Sequence, residues 1–161
     1  ASNYPLRGGK HSIWEGGTRG TALVWAGQST GLLPKKRHGS IVKNLMHGAD
    51  WLPTFCSVAR ISKICSGLSL DGLDQSEALF AGGDSVRKDV LYGRHDNVPE
   101  RMKPFDTALR DAEGWKLLQN WGGKPDYWGN SSDMSVCSAS SQQAVLLFNV
   151  VIDPSERCEV S

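Results

Sequence analysis

Several common functional signatures are missing from this sequence, and each absence argues against a class of protein. Its 18 basic and 17 acidic residues nearly cancel, which gives a formal charge of +1. No strong field is therefore available to attract nucleic acid or an anionic membrane. No apolar run approaches the ~20 residues of a membrane-spanning helix, and the N-terminal residues lack the apolar region of a signal peptide. We expect neither a nucleic-acid partner nor a membrane span.

Motifs for metal and nucleotide binding are absent as well. No C-x-x-C or H-x-x-x-H pair occurs, so no zinc pattern is matched. Gly9-Lys10 resembles the end of a phosphate-binding P-loop, but His11 follows it and Tyr4 stands where the first glycine belongs. The glycine fingerprint of dinucleotide sites and the G-x-S-x-G motif of hydrolases are also missing. The sequence predicts no metal site among these residues.

The cysteines and a glycosylation sequon bear on the compartment. On one continuous helix, Cys56 and Cys65 would lie about 13.5 Å apart, too far for a disulfide. An Asn-Ser-Ser sequon in a loop-like segment predicts glycosylation at Asn130, and hence passage through the secretory pathway. Four cysteines allow three disulfide pairings, which stay open: Cys56, Cys65, Cys137 and Cys158.

The stretch YPLRGGKHSIWEGGTRG, Tyr4 to Gly20, is the most unusual in the chain because it holds five glycines in seventeen residues. Helices and strands rarely tolerate so many glycines, so this stretch is predicted to be a loop. Such a loop can offer backbone N–H groups and a cation, here Lys10, to an anion. We expect Trp14 to pack beneath the loop. A purely structural loop is the alternative.

The rest of the chain predicts short elements. The apolar run Thr21–Gly27 ends at glycine and indicates a buried strand. Asp50 as N-cap and Pro53 in the first turn predict a helix that runs to about Ile64. The remaining patterns predict a short helix that ends at Gly82, a strand in 88–96, a hairpin with the turn Asp111–Gly114, and a final strand stopped at Pro154.

Five blocks of this sequence, in order, resemble the arylsulfatases of the B-like group (B, I and J). The first is the glycine-rich stretch itself. The others are HGADWLPTF from His47, LDGLD from Leu70, ALRDAEGWKLL from Ala108 and LLFNVVIDPSER from Leu146. The resemblance implies an α/β fold of the alkaline-phosphatase-like sulfatase type, present in part. Residues 1–83 would close the large α/β domain, and 84–161 would form an incomplete antiparallel C-terminal subdomain.

The resemblance also implies a function, that of a sulfuric ester hydrolase acting on a sulfated small molecule or glycan. Members of the family use calcium and a formylglycine made from the cysteine of a C-x-P-S-R motif, which this sequence lacks. We therefore expect a C-terminal-side fragment, inactive alone, with its nucleophile and calcium ligands upstream of Ala1. The family further implies a lysosomal or secreted location.

The resemblance assigns roles to three residues of the glycine-rich stretch. Lys10 matches the family's sulfate-contacting lysine and is the candidate catalytic and substrate-binding residue. Tyr4 and His11 are candidates for lining the pocket. Two alternatives remain open: an inactive fragment that binds sulfated glycans, and a related phosphoester hydrolase. Oligomeric state is not indicated by any pattern.

Overall fold

The computed structural model describes residues 3–10, 12–93, 107–119, 145–158 and 160. The chain divides into two units, each with its own buried residues. One unit combines residues 1–21 with 89–161, and the other consists of residues 22–88. The predicted domain division after residue 83 stays a prediction. The glycine-rich N-terminal stretch, however, groups with residues 89–161 rather than with the segment that follows it.

The first unit is built on a four-stranded antiparallel sheet with the strands in sequence order. Its strands are β1 (Asp89–Tyr92), β2 (Thr107–Asp111), β3 (Trp115–Gln119) and β4 (Val145–Asn149). An antiparallel sheet was expected in this part of the chain, and the structure contains one. The large α/β domain implied by the resemblance stays a prediction, and the described residues include no parallel strand pair.

One face of this sheet carries the core of the unit. In β3 the side chains of Lys116 and Leu118 are buried, while those of their neighbours in the strand are exposed, as the two-residue period of a half-buried strand requires. Trp14 lies against Phe148 with the ring centroids 5.8 Å apart in an edge-on arrangement. The buried apolar cluster comprises Ile13, Trp14, Ala108, Leu118, Leu146, Phe148 and Val150.

The predicted hairpin turn between β2 and β3 is confirmed. The Asp111 carboxylate accepts the N–H of Trp115 at 2.8 Å, the local bond that makes aspartate common in turns. Gly114 adopts a φ of +96°, which favours glycine. Its carbonyl accepts the Val150 N–H at 2.8 Å, so the turn also holds the chain that leaves β4.

Two of the predicted strands need correction. The segment Thr21–Gly27 forms no strand, and Leu23 and Trp25 are 90% and 83% exposed. An apolar run becomes a buried strand only where another strand pairs with it, and none does within the described residues. The final strand ends at Asn149, before Pro154, because the Asn149 side chain accepts two backbone N–H groups and closes a turn.

The second unit, residues 22–88, is helical. Its α-helices are α2 (Trp51–Val58) and α3 (Ser62–Cys65), whereas α1 (Glu15–Thr18) belongs to the first unit. Short 3-10 turns occupy Gln28–Thr30, Lys35–Arg37 and Gly48–Asp50, and a π-helical turn occupies Glu77–Ala81. As predicted, the helical turn Glu77–Ala81 ends at Gly82, which has a φ of +90°. None of the helices in the described ranges has the length and apolarity needed to cross a membrane.

The helix predicted to reach Ile64 is shorter, and this changes the cysteine argument. Helix α2 ends at Val58, and Arg60 turns the chain with a φ of +58°. The turn brings the Cα atoms of Cys56 and Cys65 to 6.3 Å, and the two form a disulfide. The estimate of 13.5 Å applied to an unbroken helix. Cys158 is disulfide-bonded as well.

Asp50 occupies the predicted N-cap position of α2, but the prediction that its side chain caps this helix is wrong. The carboxylate makes no side-chain cap bond to α2. Instead it accepts the N–H groups of His47 and Leu73 and pairs with the Arg87 guanidinium. Burial alone would raise the pKa of Asp50, but the bonds from Arg87, His47 and Leu73 and the charge of Arg87 outweigh it and lower the pKa to about 2.

Candidate functional site

The glycine-rich stretch forms a tight turn that presents Lys10. The Ser12 hydroxyl donates to the Gly9 carbonyl at 2.8 Å and accepts the Gly9 N–H at 3.1 Å, and the Ser12 N–H donates to the same carbonyl at 3.0 Å. Three bonds between residues 9 and 12 leave the backbone of this turn little freedom. Lys10 lies inside it, with its side chain exposed.

Two of the glycines are required by the backbone itself. Gly8 has a φ of +72°, and a Cβ there would lie 2.4 Å from the Ser12 hydroxyl oxygen and 2.8 Å from the Trp14 Cβ. A Cβ on Gly17 would lie 2.3 Å from the carbonyl oxygen of Ser12. These distances are far below a van der Waals contact, so the glycines allow the turn to fold onto the chain that follows it.

Replacement of Gly8 with alanine should therefore destabilise the first unit by about 2 kcal/mol, through the left-handed backbone and the steric clash together. Gly31→Ala separates the two causes, because Gly31 has a φ of +63° but open space around its Cα; its cost should be about 1 kcal/mol. Gly20→Ala, with neither problem, is the control. Urea denaturation measures all three, and equal stability of the Gly8 and Gly20 variants would contradict the steric argument.

Helix α1 (Glu15–Thr18) follows the turn and is joined to its start. The Gly16 N–H donates to the Arg7 carbonyl at 2.7 Å. Trp14 is fully buried beneath the turn, as the sequence predicted. The Arg7 guanidinium lies 3.8 Å from the Trp14 ring centroid, a cation–π contact that holds the first side of the turn on the core.

A buried charge cluster, formed by Glu15, Arg110, Lys116 and Glu156, lies between α1, the sheet and the C-terminal segment. The Lys116 ammonium is 3.1 Å from a Glu15 carboxylate oxygen and 2.9 Å from a Glu156 carboxylate oxygen, and these three side chains are fully buried. Arg110 reaches Glu15 at 3.5 Å. Two cations thus balance two anions, which a buried ionic group requires to be stable.

Burial sets the electrostatics of this cluster. Burial raises the pKa of Glu156, against the attraction of Lys116, which favours the ionised form. Burial and the nearby negative charge of Glu15 raise the pKa of Tyr92, whose ring lies 5.3 Å from the Lys116 nitrogen. Sequence reasoning missed Lys116, although a lysine at an inward position of a strand indicates a buried ionic partner.

The sequence-predicted site residues fall in different places. Lys10 is exposed, and within the described part of the chain its ammonium has no hydrogen-bond or ion-pair partner. Tyr4 is 55% exposed and belongs to the turn that precedes Gly8. His11 and Asn130 lie outside the described residues. The roles given to all four residues stay predictions.

Calcium, which the resemblance implies, finds no ligand set in the described ranges. No group of three or more His, Cys, Asp or Glu side chains lies close enough there to hold a metal ion. A hard cation such as calcium needs about six or more oxygen ligands.

Comparison with curated proteins shows a likeness to a sulfatase. The chain is similar to Arylsulfatase J of the mouse, with 32% identity over 185 aligned positions. The alignment covers 99% of this chain and 29% of that protein. The chain thus spans less than a third of the length of the curated relative that it matches. No family model matches it.

Proposed function

The chain belongs to the sulfatase family, and on that premise we propose that it contributes the sulfate-contacting lysine of a sulfuric ester hydrolase. The observation that carries this proposal is the presentation of Lys10. Its ammonium is exposed and has no partner in the described part of the chain, while Gly9 and Ile13 are buried and Gly9 is hydrogen-bonded to Ser12. A fixed turn with a free cation at its tip suits an anionic ligand.

The chemistry of sulfate transfer explains why a lysine is useful there. A bound sulfate ester carries one negative charge, and charge moves toward the bridging oxygen as the S–O bond breaks. An ammonium held beside that group stabilises the developing charge, most strongly where water is excluded. Lysine suits this role because it is a compact point charge with three donors, which matches a tetrahedral oxyanion.

The other parts of the reaction would come from residues beyond this chain. We propose that the whole protein supplies the formylglycine nucleophile and the calcium ligands, and that it works in the lysosome or outside the cell. The substrate class proposed is a sulfated small molecule or glycan. Because the C-x-P-S-R motif is missing, the 161-residue chain should be inactive by itself, and turnover of an aryl sulfate would contradict that expectation.

Lys10→Ala tests the proposed contact directly. We expect the 161-residue chain to bind inorganic sulfate, detected as NMR shifts of the backbone amides of residues 8–16 in a titration at fixed ionic strength. Loss of a charged hydrogen bond should weaken binding at least about tenfold in the variant. Lys43→Ala, which removes another exposed lysine, should change little.

The outcomes separate the candidate functions. Equal sulfate affinity of the wild-type chain and the Lys10 variant would overturn the proposal. Tight, salt-sensitive binding to a sulfated polysaccharide that depends on Lys10 would favour the inactive glycan-binding fragment. Preference for phosphate over sulfate at the same amides would favour the related phosphoester hydrolase.

A further inference from the structure

The turn that carries Lys10 is held at both ends by one residue of the C-terminal segment. On its first side, the Arg7 guanidinium donates to the backbone carbonyl of Glu156 at 3.0 Å. On its second side, the backbone N–H of Glu15 donates to the carboxylate of Glu156 at 2.6 Å. The segment 7–15, called here the Lys10 loop, therefore starts and ends on the same residue.

The backbone of Glu156 is what makes this double contact possible. Glu156 has a φ of +51°, one of only two non-glycine residues with a positive φ in the described part of the chain. A left-handed conformation carries an energetic cost for a residue with a side chain. Glycine would avoid that cost but would remove the carboxylate, so the strain is retained where the side chain has a specific contact to make.

Glu156 is itself firmly placed. Its N–H donates to the Asp153 carbonyl at 3.1 Å, and the Asp153 carboxylate accepts the N–H groups of Arg157 and Cys158 at 2.6 and 2.8 Å. The Lys116 ammonium, 2.9 Å from the Glu156 carboxylate, ties it to β3. The support beneath the Lys10 loop is thus a hydrogen-bonded turn joined to the sheet.

We propose that Glu156 is a positioning residue that clamps both ends of the Lys10 loop and so fixes where the Lys10 ammonium is presented. This inference rests on the proposed function only where it says that the position of the Lys10 ammonium matters for ligand binding. The clamp itself can be tested without that function. Glu156 does not touch the ligand; it acts through Arg7 and Glu15. Lys116 balances the charge of the Glu156 carboxylate. The role of this side chain is therefore to position the Lys10 loop.

Hydrogen exchange of single amides tests the clamp. In Glu156→Ala, the amides of Ser12 and Gly16, which close the Lys10 loop, should exchange at least about tenfold faster. The amides of the β2–β3 hairpin should lose less protection than those of the loop, although the loss of a Lys116 partner lowers the stability of the whole unit. Glu156→Gln keeps a carbonyl oxygen for the Glu15 N–H, so it should restore most of the protection. Arg7→Met releases the other end of the loop and leaves the four side chains of the buried charge cluster unchanged, so it should have the same selective effect.

Sulfate titration of the same variants connects the clamp to the site. Selective loosening of the loop should weaken sulfate binding by about the same factor as it speeds exchange, with Glu156→Gln close to the wild-type chain. Unchanged loop exchange in both Glu156→Ala and Arg7→Met would overturn the inference, as would equal loss of protection in loop and hairpin. If Lys10→Ala leaves sulfate binding unchanged while the loop still loosens selectively, the proposed function fails and the clamp stands.

Discussion

Replacement of Lys116 with methionine should destabilise the first unit by about 4 kcal/mol. Methionine nearly matches the length of the lysine stem, so the change removes the charge without leaving a large cavity. Glu15 and Glu156 would then be buried carboxylates that have lost their shared ammonium. Breaking a buried ion pair from one side typically costs 3–5 kcal/mol for that reason. Urea denaturation followed by the fluorescence of the buried Trp14 measures the loss.

The loss of stability caused by Lys116→Met should be smaller at low pH. Burial raises the folded pKa of Glu156 above its ordinary value of 4.5, so ionisation of this carboxyl opposes folding, and stability falls as pH rises from that value through the folded pKa. Removal of Lys116 takes away the largest cause that lowers this pKa, so it should rise further. The deficit of the variant should therefore be smaller at pH 4 than at pH 7.

Two further variants control this prediction. Lys88→Met removes an exposed lysine and should change stability by less than about 0.5 kcal/mol. The double variant Lys116→Met/Glu156→Gln removes one charge of each sign and should be more stable than Lys116→Met alone. A loss below about 1 kcal/mol for Lys116→Met at pH 7 would show that the buried charge cluster contributes little.

Asp50→Asn should destabilise the second unit by about 3 kcal/mol. The carboxylate accepts bonds from two backbone N–H groups and from Arg87, and it is fully buried. Asparagine has a similar shape but would leave the Arg87 guanidinium without its charged partner. Its side-chain NH2 group would also face the N–H donors that the carboxylate accepts. Hydrogen exchange at the amides of His47 and Leu73 measures the change in this unit.

The stabilisation that the Asp50 carboxylate provides should be lost in acid. Because the folded pKa of Asp50 is about 2, below its ordinary value of 3.8, its contribution to stability is complete above about pH 4 and is lost as pH falls toward 2. The shift corresponds to about 2 kcal/mol. The stability difference between the wild-type chain and Asp50→Asn should shrink over that interval. Asp84→Asn, at an exposed position, is the control, and a difference that does not change with pH would contradict the assignment.

Local sequence was a good guide where neighbours along the chain decide the structure. The hairpin was predicted because Asp111 and Gly114 meet the needs of a turn within four residues. The helix start at Asp50 was placed correctly for the same reason. Its end was not, since Arg60 has no sequence feature that demands a left-handed backbone, and the disulfide it allows followed only from the structure.

Features decided by distant partners were not predictable in the same way. Thr21–Gly27 has the composition of a buried strand, but burial depends on a neighbouring strand that composition does not supply. The Asp50 carboxylate pairs with Arg87, which lies 37 residues away in the sequence. In the candidate site, the glycine-rich composition drew attention to Lys10 and the resemblance gave it a role. Glu156 carried no local signal, because its partners lie at the other end of the sequence.

The contacts of Glu156 also set an order of events in folding. The bonds that join it to Arg7 and Glu15 span 149 and 141 residues, and contacts so distant in sequence form late because long loops must close first. The Lys10 loop would therefore reach its final position only after Glu156 has been brought to it. A chain truncated after residue 150 should form the hairpin but hold no fixed Lys10 loop.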